Sequence, residues 1–401
     1  MTAPPPSPQV RRARFGIAVI FALHGAVVGT FATRIPWLAD RLDTDPGGLG
    51  LALLFAAVGA IAAMPFAGRI THRYDIRTVT GVLMVLWCLS LILPPLAPNL
   101  PLFAATLFLT GATSGMADVA MNAQGVAVEQ RVGRSIMSGL HGMWSLGGLI
   151  ASGFGVLAAS ANLDARIHFA IVAVVLAAAS IVMSGLLLHA HRSDEDVPAF
   201  ALPPRPVILI ALVAFAAVFA EGASADWAAV YLTDVAHAAP GIAALAFSGF
   251  AATMALTRFI GDRVVDRLGP VRTVRLGGVA ATLGALTVAL ARTPALAITG
   301  FALIGVGVAV VVPLAFTAAG NAGSRPGQQI AGVATIAYGA GLVAPASIGG
   351  IAHATSLSVS FTVVAALAAM IVLGAGTLRP RGWKGTLLSS GAVQGHPTNV
   401  A

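Results

Sequence analysis

Apolar residues run along this chain in stretches of about twenty, separated by prolines, glycines or short charged clusters, with no alternation of period two. A hydrocarbon core about 30 Å thick requires about 20 apolar residues of α-helix, and that ruler marks spans over 15–37, 48–68, 79–97, 101–128, 136–160 and 167–189. A second set follows over 207–233, 241–260, 273–291, 295–320, 328–350 and 355–377. The stretch between the sets, HAHRSDEDVPAFALPPRP from His189, mixes both charge signs with prolines and cannot continue a helix. The pattern predicts an all-α membrane protein of twelve transmembrane helices in two pseudo-symmetric six-helix halves. The organisation is a tail at 1–14, a bundle at 15–189, a linker at 190–206, a bundle at 207–377 and a tail at 378–401.

Composition and charge agree. Of 401 residues 57% are apolar and 9% charged, where soluble domains carry about 25% charged residues. The net charge of +8 lies in clusters between spans and is a topology signal, so no nucleic-acid partner is expected. All basic residues except Arg34, Arg41, Arg166 and Arg292 fall at the N-terminus, in loops after the even-numbered spans, or in the tail. Both termini are therefore expected on the cytoplasmic side of the inner membrane. The first span is read as a retained helix, because no small-residue cleavage site follows it. Cys88 is the single cysteine, which removes disulfides and thiolate metal clusters from consideration.

The halves repeat. The segment from Gly47 aligns with the segment from Gly241, pairing Pro46 with Pro240, Leu51 with Leu245, Arg69 with Arg263 and Arg73 with Arg267. Parallel repeats of this kind build transporters whose substrate site lies near the midplane, where the halves meet.

The loop after the eighth span, Gly261-Asp-Arg-Val-Val-Asp266-Arg267-Leu-Gly269-Pro, resembles the loop signature G-x-x-x-D-R-x-G-R-[KR] of the major facilitator superfamily. Its first-half copy runs from Gly68 to Arg77 and keeps Arg73, but has His72 in place of the family's Asp. With Asp118-Val-Ala-Met-Asn122 through Glu129, His141-Gly-Met-Trp-Ser-Leu-Gly147 and Glu221-Gly-Ala-Ser-Ala-Asp226-Trp227, the chain is similar to the branch of YbjJ-like proteins and, more distantly, fucose permeases. The resemblance implies the superfamily's fold and secondary transport, without a substrate. Fucose permeases use carboxylates in helices 1 and 4; here helix 1 has none, so fucose is not carried over. The fifth span lacks the proline of a Gly-Pro antiporter signature.

Ionisable side chains within spans cost at least about 2.5–3.5 kcal/mol to insert and mark function. Asp118, sharing a helical face with Asn122, is the candidate proton-coupling or substrate-binding acid; His24 is a candidate partner, His141 with Ser145 forms a second polar stripe, and Glu221 faces the site from the second half. Arg34 is placed to pair with Asp226 in an outer gate beside Trp227, a candidate for the aromatic belt with Trp37. Glu129, Arg131 and Arg134 read as an inner-gate cluster with Gly68, Arg73, Arg77, Asp266, Arg267 and Gly269. Thr317, Asn321 and Tyr338 are candidate cavity-lining residues near Pro313 and Pro345.

The central site offers no lysine or arginine on this reading, which favours a mildly polar or amphiphilic solute over an anion. No G-x-x-x-x-G-K-[ST], H-E-x-x-H or catalytic constellation is present. No enzymatic activity, metal or cofactor is expected, and the proton gradient is the expected energy source for a monomer. Proton-coupled import, proton-antiport efflux and a non-transporting sensor remain open.

Overall fold

A computed structural model of the chain describes residues 7–132, 136–189, 205–322 and 326–379. Arg134 lies outside these residues, as do most of the linker 190–206 and of the tail 378–401. Fourteen α-helices and no strand are found among the described residues. The first half contains α1 (Pro8–Ala32), α2 (Ile35–Leu42), α3 (Pro46–Arg73), α4 (Ile76–Ser90), α5 (Leu100–Val132), α6 (Met137–Ser160) and α7 (Ala165–Ser184). The second contains α8 (Ile208–Asp234), α9 (Pro240–Leu268), α10 (Pro270–Leu290), α11 (Pro294–Val308), α12 (Val311–Gly320), α13 (Pro326–Ala354) and α14 (Leu357–Gly374). Twelve segments are long and apolar enough to cross a membrane, with α11 and α12 forming one of them. Both described ends return to one face, the terminal face; the opposite one is the far face.

Prolines and caps set the boundaries. Helix α1 starts earlier than the first predicted span: the Ser7 hydroxyl accepts the Val10 N–H, and Pro8 occupies the first turn, where a missing N–H costs nothing. The span expected to continue to 37 breaks at Thr33 and Arg34, because Pro36 cannot donate to the carbonyl of Ala32. The span expected over 295–320 is divided between α11 and α12, and Pro313 leaves the Ala309 carbonyl without its helical donor. The aligned prolines Pro46 and Pro240 both open helices.

Helix pairing reproduces the repeat. Within the first half α1 packs on α6, α3 on α5 and α4 on α7; within the second α8 packs on α13, α9 on α11 and α10 on α14. Two pairs do most to join the halves, α3 with α13 and α6 with α9, and α1 and α2 also touch α8. In a bilayer, apolar helices gain nothing from leaving lipid for one another, so close approach depends on small residues. Gly25 and Gly29 of α1 lie against the backbone of Trp144 and Gly148 on α6, and Gly59 and Gly111 bring α3 and α5 together similarly. Gly269, the glycine of the loop signature, joins α9 to α10 at φ 78° and ψ 158°, a conformation closed to residues with a side chain.

Where the halves meet they are shut at the far face. A Cβ on Gly50 of α3 would sit 2.6 Å from the Pro345 carbonyl oxygen and 2.9 Å from Gly349 Cα on α13. Gly241 at the start of α9 abuts Ser160 at the end of α6, and Ser248 Oγ donates to Ser152 Oγ at 2.9 Å. At mid-depth a Cβ on Gly339 or Gly341 of α13 would meet nothing within 4 Å, as would one on Gly139 near the terminal end of α6.

Candidate substrate and proton site

Asp118 lies close to the midpoint of α5. The Asn122 amide, one turn along, donates to both its backbone carbonyl and its carboxylate, the latter at 3.1 Å. Tyr338, near the midpoint of α13, is within electrostatic range of Asp118 across the gap between the halves and is 46% exposed. A side chain so exposed at mid-depth, below a closed far face, borders a space reached from the terminal face.

The second half contributes a central charge that the pattern of spans and loops does not reveal. Glu221 stands at the midpoint of α8, and Arg258, one turn beyond the midpoint of α9, places Nη2 at 3.4 Å from both of its carboxylate oxygens. Arg258 Nη1 donates to Ser145 Oγ of α6 at 2.7 Å, and Nε to the Ala309 carbonyl at 3.3 Å. That carbonyl is the one Pro313 leaves without a donor. The expectation of no arginine in the centre is thus corrected: Arg258 belongs to the interior and not to the basic loop after the eighth span. Its position inside the apolar run 241–260 was the available signal.

The histidines are not drawn to Asp118. Trp144 Nε1 donates to His24 Nδ1 at 3.0 Å, and since an indole only donates, His24 carries its proton on Nε2, which is buried without a hydrogen-bond partner among the described residues. Trp87 stacks on its other side with ring centroids 5.2 Å apart. His141 meets the edge of Phe21 and lies within electrostatic range of Arg258. The hydroxyl of Thr317 and the amide of Asn321 are spent on carbonyls of their own helix.

The gates differ from expectation. Arg34 does not pair with Asp226: it is buried, its Nη2 donates to the Leu163 carbonyl at 2.5 Å, and its charged neighbour is Asp164. Trp227 is fully buried, with Cζ2 3.2 Å from a Cβ built on Gly50, so it packs behind the α3–α13 closure and takes no part in an aromatic belt. Trp37 has Arg41 and Arg166 over its ring. On the terminal face, Glu129 accepts the Ile136 and Met137 N–H groups at 2.6 and 3.0 Å, satisfying free donors at the start of α6. Arg73 lies over Tyr74 and Arg77 meets His189. Asp266 and Arg267 are exposed in the last turn of α9, and Gly68 falls in the corresponding end of α3.

The far closure has a latch that loop residues conceal in the sequence. His353, in the last turn of α13, meets the Asp45 carboxylate at 2.5 Å, and Asp45 also accepts the Gly48 N–H to cap α3. The Gly48 N–H, and then His353, hold the Asp45 carboxyl below the usual carboxylate range. The Gly48 cap lies within α3 and is the same whether the halves are closed or open, so only the smaller contribution of His353 favours the closed arrangement, and it is lost as pH falls through the depressed value. Asp45→Ala is expected to raise labelling of a cysteine at Ala225, beneath the closure, by an impermeant maleimide from the far face about two- to fivefold, while Asp45→Asn, which keeps a cap acceptor, does less. Equal labelling in all three proteins would remove the latch.

A sequence model of the Major Facilitator Superfamily matches residues 17–345. An uncharacterised transporter of Sinorhizobium fredii, y4wD, is 34% identical over 370 residues, covering 91% of this chain and 97% of that protein. An uncharacterised MFS-type transporter of Yersinia pestis is 35% identical over 350 residues, covering 86% and 91%. Among solved structures, the nucleoside transporter NupG superposes with a TM-score of 0.73 at 12% identity over 91% of this chain and 98% of its own. The E. coli fucose:proton symporter FucP, as its N162A variant, gives 0.61 at 15% over 92% and 98%. With twelve membrane-length helices in two matched halves and relatives aligned over nearly its whole length, this chain belongs to the Major Facilitator Superfamily.

Proposed function

We propose that this transporter is a proton-coupled secondary transporter that moves a small polar or amphiphilic solute across the cytoplasmic membrane by alternating access, as a monomer with its termini in the cytoplasm. The observation that carries this reading is the placing, at mid-depth behind a closed far face, of Asp118 and Asn122 from the first half and Tyr338, Glu221 and Arg258 from the second. A site built from both halves is remade when they rock, so a ligand that fits one arrangement better shifts the balance between them. Asp118 is the proton-carrying acid: its side-chain hydrogen-bond partner among the described residues is a neutral amide, so a proton can be gained or lost without breaking an ion pair. The proton gradient supplies the energy, with about 2.3 kcal/mol per charge per 100 mV available from the membrane potential. A nucleoside transporter and a fucose:proton symporter with this fold are compatible with a hydrogen-bonding solute.

Efflux by proton antiport is the second reading. It is favoured by a cavity of about 80 Å³ outward of Ser145 and Glu221, walled by Trp144, Phe247, Phe250 and Met254, which suits an amphiphile. Reconstituted vesicles holding a pH dye decide between them. Acidification of the lumen on external addition of a solute, with no imposed gradient, is the result expected for symport. Alkalinisation of an acid-loaded lumen means antiport, and solutes that stabilise the protein yet move no protons leave a sensor.

A further inference from the structure

We infer that the solute carries an anionic group, a carboxylate or its equivalent, which Arg258 receives in exchange for Glu221, with the apolar part of the solute in the adjoining cavity. The inference rests on the transport reading above and narrows its substrate class. A cation in the middle of a membrane is costly, and a neutral hydrogen-bonding solute gives no reason to keep one there. Arg258 is moreover held from three directions: by Ser145 of the first half, by Glu221, and by the Ala309 carbonyl that Pro313 frees. These contacts fix the plane of the guanidinium and leave further N–H groups unused, the geometry that suits a carboxylate.

The bond to Glu221 is the loose one. Its two 3.4 Å separations exceed the 2.7–2.9 Å of an optimised charge-assisted hydrogen bond, whereas the Ser145 contact at 2.7 Å is tight. A ligand carboxylate therefore displaces Glu221 more readily than it displaces the anchoring serine. Glu221 also forms part of the wall of the 80 Å³ cavity with Trp144, Phe247, Phe250 and Met254, so an anion at Arg258 has an apolar recess beside it, of a size for a short aliphatic chain.

The charges balance. Before binding, Glu221 and Arg258 neutralise each other; after it, the ligand carboxylate neutralises Arg258 and Glu221 takes a proton that reaches it by way of Asp118. Anion and proton enter together, and either alone leaves an unpaired charge in the membrane. The other ionisable groups around the pair are His141 of α6, His24 of α1, Asp118 of α5, Tyr338 of α13, and Asp226 farther along α8.

Thermal stability of the purified full chain, titrated with butyrate and valerate and with their amides, tests the exchange. The carboxylates are expected to raise the midpoint of the wild type and the amides to leave it unchanged. Arg258→Gln is expected to weaken the carboxylates about tenfold or more. Glu221→Gln, which removes their competitor, is expected to strengthen them severalfold. Opposite signs separate exchange from a fixed structural tie, in which both substitutions weaken binding together. Should Arg258→Gln not fold, Arg258→Lys keeps the charge without the fork, and weakened but surviving carboxylate binding is expected. Amides as effective as acids, same-sign effects, or no response to either acid overturns the inference. Proton movement driven by an uncharged sugar, with no carboxylate response, overturns it while the transport reading stands. Carboxylate binding without flux of any solute counts against the transport reading alone.

Discussion

Asp118→Asn leaves the protein folded and reduces solute-driven proton movement to the level of empty vesicles. The substitution is nearly isosteric, and an amide oxygen still accepts from Asn122, so the α5 surface is unchanged. Removing a carboxyl from mid-membrane also relieves an insertion cost of at least about 2.5 kcal/mol, so the melting temperature is expected to hold or rise. What disappears is the group that alternates between charged and neutral forms while the cavity opens to each face. Solute-dependent pH change in vesicles, set beside solute binding by the same variant, measures this. Coupling equal to wild type would make Asp118 structural and move the proton path to Glu221.

Gly111→Val yields no stably folded protein. Gly111 of α5 lies against Ala56 of α3, where a Cβ would come 2.5 Å from the Ala56 carbonyl carbon and closer still to its oxygen. A side-chain clash is relieved by a rotamer change, but this one is with the backbone of a helix held by its own hydrogen bonds. Relief means separating α3 from α5 along the contact that Gly59 and Gly115 also form. The cost is expected to exceed about 4 kcal/mol, the range reserved for core disruption. Size-exclusion profile and melting temperature in detergent report it, with Gly339→Val, where a Cβ meets nothing within 4 Å, as the tolerated control. A monodisperse Gly111→Val protein with wild-type melting would refute the crossing as drawn.

The Asp118–Asn122 pair was legible along the chain because two residues four apart on a helix share a face. Glu221 was legible from its depth in a span. Their neighbours on other helices were not: Tyr338 comes within electrostatic range of Asp118 from the other half, and Arg258 reaches Glu221 from the next helix while bonding Ser145 of α6. Arg258 also shows how a charge near a span's end misleads: in sequence it extends a basic loop, whereas in the bundle it turns inward. His24, Glu129 and Trp227 show the converse. Each stood out by residue type, and each is occupied by a packing or capping role that depends on Trp144, on the start of α6, and on Gly50.

The sequence by itself determined the number of crossings, the helical class, the repeat and that both ends return to one face. A bilayer leaves an unpaired backbone no solvent, so apolar length dictates helices and proline dictates where they start and break. Only the tertiary structure decided that the far face is closed, that Asp45 and His353 fasten it, and that a cation stands at the centre. Those facts depend on the angle between two halves and on which long side chain reaches which helix. Such contacts are fixed by glycine-lined crossings and by hydrogen-bonding groups without partners, like the carbonyl of Ala309, and neither can be read along a single span.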